Sequence, residues 1–236
     1  MSYYNSYYPP RKTKGAYQRK KKRLIRFLCL VGTIVAIVTG FLLLNTSKAN
    51  ENDISVTKEG DESARSAMVM TSSYKKPPIQ ADLLKPNPYS RPQTPLTKVN
   101  GVVVHYVGNP GTSAKANRNY FNKLADTGST YASSHFIIDL DGKIIQCIPT
   151  NEISYASNNR NEDTISIEVC HPDETGKFTK ESYDALISLT KWLCSQYDLD
   201  SDDVIRHYDV TGKLCPLYYV EHEDAWLAFK QEVFKK

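Results

Sequence analysis

Residues 96–236 of this 236-residue chain predict an α/β fold, a mixed central β-sheet flanked by helices. Three observations lead there. The β-branched run "GVVVHYVG" (101–108) has strand length. "HFIIDLDGKIIQCIP" (135–149) sets two apolar runs around Asp141-Gly142, a dipeptide suited to a tight hairpin. Residues 179–197 repeat their apolar side chains at helical spacing. Strands and helices are interspersed without strict alternation, which is why the sheet is expected to be mixed.

In chain order, the first strand is interrupted by His105, a polar residue where an apolar one is expected. Segment 111–128 reads as a helix, and the hairpin follows. "TISIEVC" (164–170) is a third strand, with Ile165, Ile167 and Val169 on one face and Ser166, Glu168 and Cys170 on the other. The helix at 179–197 starts behind a Thr179 cap and turns Tyr183, Leu186, Ile187, Thr190, Leu193, Cys194 and Tyr197 inward. A last helix near 221–234 opens on Glu221, Glu223 and Asp224, which suit the positive end of its dipole, and carries Trp226, Phe229 and Val233 inward. Between these helices, "RHYDVTGKLCP" (206–216) reads as a Gly-containing loop. About 140 residues suffice for one core, and no internal repeat is present.

The N-terminal part has a different composition. Residues 1–26 hold nine basic residues and no acidic one, so in a chain of net charge +4 the remainder carries about −5. Next comes "FLCLVGTIVAIVTGFLLL" (27–44), 18 uncharged and mostly apolar residues. As a helix rising about 1.5 Å per residue it reaches roughly 27 Å, close to the hydrocarbon thickness of a bilayer, about 30 Å. It reads as a single transmembrane helix, with 1–26 as a basic cytoplasmic tail and the rest of the chain outside. A cleaved signal peptide is the rival reading. Against it, the apolar core is longer than such a peptide needs, and no clear small-x-small site follows. Nucleic-acid binding is a poor account of the basic tract, because the tract abuts the span and the remainder is acidic. Residues 45–95 are polar and then Pro-studded, with six of the 12 prolines between Pro77 and Pro95. They read as an extracellular linker whose last part, "NPYSRPQTPL", packs on the domain as an arm. Of five cysteines, Cys29 lies in the span, and Cys147, Cys170, Cys194 and Cys215 lack the tight spacing of a disulfide framework.

The loop at 206–216 brings His207 and Cys215, both common zinc ligands, onto one short stretch that includes Gly212. A catalytic zinc needs a third protein ligand and one open position, and His105 is a candidate for the third. The plainer reading makes His105 a half-buried strand residue and Cys215 a small buried hydrophobe. H-x7-C alone is too loose to decide.

The order and separation of "VVVHYVGNP", "SSHFIIDLDGKIIQCIP", "SIEVCHPD" and "RHYDVTGKLCP" decide more. Together they resemble the zinc-dependent N-acetylmuramoyl-L-alanine amidases, a family of bacteriophage and bacterial autolytic enzymes related to peptidoglycan recognition proteins. The resemblance spans residues 96–234. It implies Zn2+ bound by His105, His207 and Cys215, with Glu168 and Lys213 as catalytic residues. The implied reaction is hydrolysis of the amide between the lactyl group of N-acetylmuramic acid and L-alanine of the peptidoglycan stem peptide. Glu168 would take the water's proton and pass it to the leaving amine, and Lys213 would stabilise the oxyanion. Some phage members carry a tyrosine where this chain has Ser134, which leaves Tyr131 without an assigned role. The alternative is a non-catalytic peptidoglycan-binding module of the same fold. Such relatives typically lack the cysteine ligand that Cys215 supplies here. With the predicted anchor, the expectation is a single-pass protein of the bacterial cytoplasmic membrane with its catalytic domain outside. His135 reads as structural, His171 as lining the cleft or orienting a neighbour, His222 as a solvated helix start, and Trp192 and Trp226 as packing residues.

Overall fold

Six strands, β1 (Ile79–Ala81), β2 (Val102–Tyr106), β3 (Phe136–Ile138), β4 (Ile144–Gln146), β5 (Ile165–Val169) and β6 (Val204–Arg206), form one sheet in the order β1-β4-β3-β5-β2-β6. The structure, a computed structural model, describes residues 74–235. The predicted basic tail, transmembrane helix and first part of the linker lie outside the described residues. Among those described, no helix is long and apolar enough to cross a membrane. β3, β5, β2 and β6 run parallel, whereas β4 is antiparallel to β3, and β1 follows β4. The sheet is therefore mixed, and the hairpin at Asp141-Gly142 supplies its one antiparallel pairing. Gly142 has a φ of 80°, and a Cβ there would lie 2.8 Å from the Glu181 carbonyl oxygen. The turn requires glycine on both counts.

The alternation along each strand divides the side chains between two faces. One face buries Val102, Val104, Phe136, Ile138, Ile165, Ile167 and Val169 against α2 (Lys180–Tyr197) and α5 (Glu223–Phe234), through Leu186, Leu189 and Leu193 of the first helix and Trp226, Phe229 and Val233 of the second. Thr179 caps α2 as expected, its Oγ1 accepting from the Ser182 N–H at 3.0 Å. Leu189 is buried on this helix although the spacing argument omitted it, and the predicted Ile187 is half-buried at the edge. The other face carries Ile137, Ile145 and Cys147 under α1 (Ala114–Thr127), whose Phe121 packs on them. α1 covers only the β3/β4 half of that face, which leaves the half formed by β5, β2 and β6 for the site.

Two segments differ from the sequence expectation. The linker assigned to 45–95 is already part of the fold at Ile79, where β1 pairs in parallel with β4. Leu84 is 1% exposed and packs with Ile137 and Ile148. Farther along, the Arg91 guanidinium donates twice to the Glu152 carboxylate, at 2.8 and 2.7 Å. A three-residue strand behind Pro77 and Pro78 has no periodicity to detect, and its edge position is the one a sheet grants to proline-flanked segments. The second difference lies at 206–216. Residues His207–Thr211 form a short helix, α3, and Leu217–Glu221 form another, α4, separate from α5, which begins at Glu223.

A buried polar layer ties β3 to β5. The Ser166 Oγ accepts from the His135 N–H at 3.1 Å and lies within hydrogen-bonding distance of the Ser134 and Ser154 hydroxyls. The Ser166 N–H donates to His135 Nδ1 at 3.0 Å, so the proton of this imidazole sits on Nε2, which donates to the Glu152 carbonyl at 2.9 Å. Both ring nitrogens are thus occupied in the neutral form, and burial lowers the pKa to about 4 from an ordinary 6.5. His135 is structural, as the sequence suggested.

Two measurements follow from this packing. Leu84→Ala should cost about 2–5 kcal/mol in denaturant unfolding; an unchanged midpoint would exclude the Pro-rich arm from the cooperative fold. Because the folded-state pKa of His135 is depressed, its contribution is complete above pH 6.5 and is lost as pH falls towards 4. Its maximal slope is about 1.4 kcal/mol per pH unit. Between those pH values, unfolding free energy should therefore fall less steeply in His135→Gln than in the wild type.

Candidate metal centre

The parallel register of β5, β2 and β6 assembles the site. His105 pairs with Glu168 across β2 and β5, and Val104 pairs with Arg206 across β2 and β6. His207 directly follows Arg206, so three neighbouring strands deliver Glu168, His105 and His207 at their C-terminal ends. That is where open α/β sheets commonly place ligands. Cys215 returns to the same spot through a closed turn. Gly212 ends α3 at a φ of 83°, the Cys215 N–H donates to the Lys213 carbonyl at 2.7 Å, and the Tyr208 N–H donates to the Cys215 carbonyl at 2.9 Å.

Arg206 holds this turn against the domain. Its buried guanidinium donates to the Tyr219 carbonyl at 2.8 Å, pairs with Asp209 at 2.9 Å and with Glu223, and lies 5.5 and 5.4 Å from the ring centres of Tyr208 and Trp226. Its backbone N–H donates to the Asp209 carboxylate at 2.8 Å, a side-chain cap on α3.

One ligand atom each of His105, His207 and Cys215 lies within 4.8 Å of the others, and all three residues are buried. His105 Nδ1 faces Cys215 Sγ at 3.8 Å and Glu168 Oε1 at 3.9 Å, while its Nε2 meets the Ser157 hydroxyl at 3.1 Å. His207 Nε2 meets Asn158 Oδ1 at 3.0 Å. Burial is the main influence on every titration here. It holds His105 well below the ordinary imidazole value, helped by the charges of His207 and Lys213. It lowers His207 to about 4, with Lys213 adding to the effect. It pushes Cys215 up to about 12 and Glu168 up to about 8. Glu168 Oε2 is buried with no hydrogen-bond partner among the described residues.

Burial thus favours the uncharged form of all four groups, two imidazoles, a thiol and a carboxylic acid gathered in one pocket. A thiolate and a carboxylate there need a cation to offset their lost hydration. The three ligand atoms lie close enough together for one metal ion, and the Glu168 carboxyl group stands beside them, 3.9 Å from His105 Nδ1. The residues fit a metal centre.

The other predicted residues divide between site and framework. Exposed Lys213 influences the pocket through its charge, which lowers the pKa of Glu168, His207 and Cys215. His171 stands outside the ligand cluster. It stacks on Tyr106 at 4.9 Å and its Nδ1 bonds to the Asp173 carbonyl at 2.7 Å. Tyr131 is 62% exposed, tilted against Tyr89 at 5.3 Å and edge-on to Tyr155 at 5.5 Å between ring centres, while Ser134 belongs to the polar layer. His222 is exposed at the start of α5, Trp226 is buried in the core, and Trp192 packs beside it in part. Cys147, Cys170, Cys194 and Cys215 are free and buried. Sequence reasoning missed Ser157 and Asn158; the run "SNNRN" (157–161) signals a polar turn and nothing about what that turn faces.

Residues 95–217 match the family described as N-acetylmuramoyl-L-alanine amidase. The chain is 32% identical over 164 residues to a probable N-acetylmuramoyl-L-alanine amidase of Bacillus licheniformis, covering 64% of this chain and 46% of the relative. It is 33% identical over 168 residues to the amidase CwlL of the same organism, covering 66% and 46%. The chain thus spans about half the length of the curated relatives it matches. Among solved structures, PlyL superposes with a TM-score of 0.57 at 26% identity over 66% of this chain and 96% of that one. The catalytic domain of XlyA gives 0.56 at 25% identity over 66% and 99%. With the family match covering more than half its length and the His105, His207 and Cys215 cluster inside the matched residues, the chain belongs to the N-acetylmuramoyl-L-alanine amidase family.

Proposed function

We propose that this protein hydrolyses the amide between the lactyl group of N-acetylmuramic acid and L-alanine of the peptidoglycan stem peptide, with zinc as its metal. The observation that carries the reading is the convergence of His105, His207 and Cys215 within 4.8 Å beside the half-buried Glu168 carboxyl group. Tetrahedral zinc with bonds of about 2.0–2.1 Å to nitrogen and 2.3 Å to sulfur sets an N···S separation of about 3.6 Å. The 3.8 Å between His105 Nδ1 and Cys215 Sγ fits that spacing. When bound, the ion would supply a Lewis acid and an acidified water.

The chain's own residues do the rest. His105 and His207 offer neutral nitrogens and Cys215 a single negative charge, so the centre keeps a net positive charge. Glu168 stands next to His105, where it can accept a proton from an attacking water and return it to the amine of L-alanine. That group's loss typically costs about 100- to 10,000-fold in rate. Lys213, at the rim, supplies positive charge where the amide oxygen becomes an oxyanion. The scissile amide would reach them from the half of the sheet face that α1 does not cover.

The sequence also supports an anchored enzyme, with 27–44 crossing the cytoplasmic membrane, 1–26 inside and the catalytic domain facing the cell wall. The tether between span and domain would set how far into the wall the site can reach.

Purified residues 74–236 incubated with bacterial cell wall should release free stem peptides that begin with L-alanine, identified by mass spectrometry. Release should stop with a zinc chelator and in Cys215→Ala. Glu168→Gln should retain zinc yet lose about 100-fold or more in rate, and Lys213→Ala about 100- to 1,000-fold. Zinc uptake without any such peptides would replace the enzyme with a peptidoglycan-binding module. For the anchor, the full chain expressed in a bacterial host should stay in the membrane pellet through an alkaline wash. A soluble product shortened at its N-terminus would identify a cleaved leader instead.

A further inference from the structure

Two adjacent residues outside the ligand set touch both ligand histidines. Ser157 Oγ lies 3.1 Å from His105 Nε2, and Asn158 Oδ1 lies 3.0 Å from His207 Nε2. Neutral imidazole carries one proton, and a nitrogen that faces a carboxamide oxygen must hold it. His207 therefore keeps its proton on Nε2 and presents an unprotonated Nδ1. The same arrangement suits His105, whose Nδ1 faces Cys215 Sγ.

The pair is itself held firmly. The Asn161 carboxamide oxygen accepts from the backbone N–H groups of Ala156 at 3.0 Å and Ser157 at 2.6 Å. The Arg160 and Asn161 N–H groups then close a single 3-10 turn onto the Ser157 and Asn158 carbonyls, at 2.9 and 3.1 Å. Asn158 adopts a φ of 53°, in the left-handed region that asparagine tolerates better than most residues. That conformation aims a short side chain at His207, across 49 residues of sequence.

We infer that Ser157 and Asn158 are positioning residues that set the metal affinity of the centre by fixing the tautomer and the ring orientation of His105 and His207. The inference rests on the zinc reading above and deepens it. Outer partners of this kind generally change metal affinity about 10- to 100-fold when removed. Asn158 carries the sharper consequence, because His207 follows the last sheet residue and opens the five-residue helix α3, whereas His105 is fixed within a central strand.

The test is zinc affinity, measured by competition with a chromogenic chelator, in the wild type and three variants. Asn158→Gly keeps the left-handed backbone and the turn's backbone hydrogen bonds while removing the acceptor, and should weaken zinc about 10- to 100-fold. Asn158→Asp keeps an oxygen at the same place and should restore affinity to within a few-fold of the wild type. Ser157→Ala should show a smaller loss. Cobalt(II) in place of zinc gives a second readout, since its visible absorption follows ligand geometry. The spectrum should change in Asn158→Gly and return in Asn158→Asp. The metal-free variants should unfold at the wild-type denaturant concentration, which separates an effect on the centre from an effect on the fold. Equal zinc affinity in wild type and Asn158→Gly would overturn the inference, as would a loss that Asn158→Asp fails to restore. A wild-type chain that takes up no zinc would overturn the metal reading itself.

Discussion

The parallel pairing of three strands governs this protein. β5, β2 and β6 lie side by side with their C-terminal ends together, so a carboxylate, an imidazole and the start of a second imidazole's helix arrive at one edge without any long loop to place them. A shift of one residue in the β2–β5 register would turn His105 or Glu168 to the opposite face of the sheet. The apolar alternation on the other face opposes that slip, because Val102, Val104, Ile165 and Ile167 would leave the core with it. The site is therefore held by the same hydrophobic burial that stabilises the domain.

Burial also determines the chemistry of the pocket. His105, Cys215 and the inner oxygen of Glu168 are buried, and each titration moves towards the neutral form. A cation entering such a place is attracted by groups that are poorly solvated, and its charge makes their ionised forms stable. Lys213, exposed at the rim, biases the same groups from outside. The serine and histidine layer around Ser166 satisfies its own polar atoms, whereas Glu168 Oε2 has no hydrogen-bond partner among the described residues.

Two devices secure the margins of the fold. Arg206 connects the turn bearing His207 and Cys215 to α4 and α5 through one guanidinium, and so links the last two helices to the site. The Pro-rich arm closes the opposite edge of the sheet through β1, Leu84 and the Arg91–Glu152 pair. It thereby protects an edge strand that would otherwise offer unpaired backbone groups to other chains.

Much of this was legible in the residues themselves. The β-branched runs, the Asp-Gly turn and the capped amphipathic helix are local signals, and each element stands where its own composition places it. His105, Glu168, His207, Lys213 and Cys215 could be named because four segments resembled a family, and their residue types carried a coherent chemistry. Other features were not legible, for physical reasons. β1 is too short and too rich in neighbouring proline to show a period, so only pairing with β4 makes it a strand. The helix at His207–Thr211 depends on Asp209 bonding back to Arg206 and on a glycine at its end, contacts within a stretch that reads as a loop. Ser157 and Asn158 acquire meaning only when folding brings them to His105 and His207, 52 and 49 residues away. The sequence by itself determined the elements and the reactive residue types, because both are properties of neighbours along the chain. The tertiary structure alone decided the sheet order, the distances between those residues and the partners that orient them, because these depend on contacts between segments far apart in sequence.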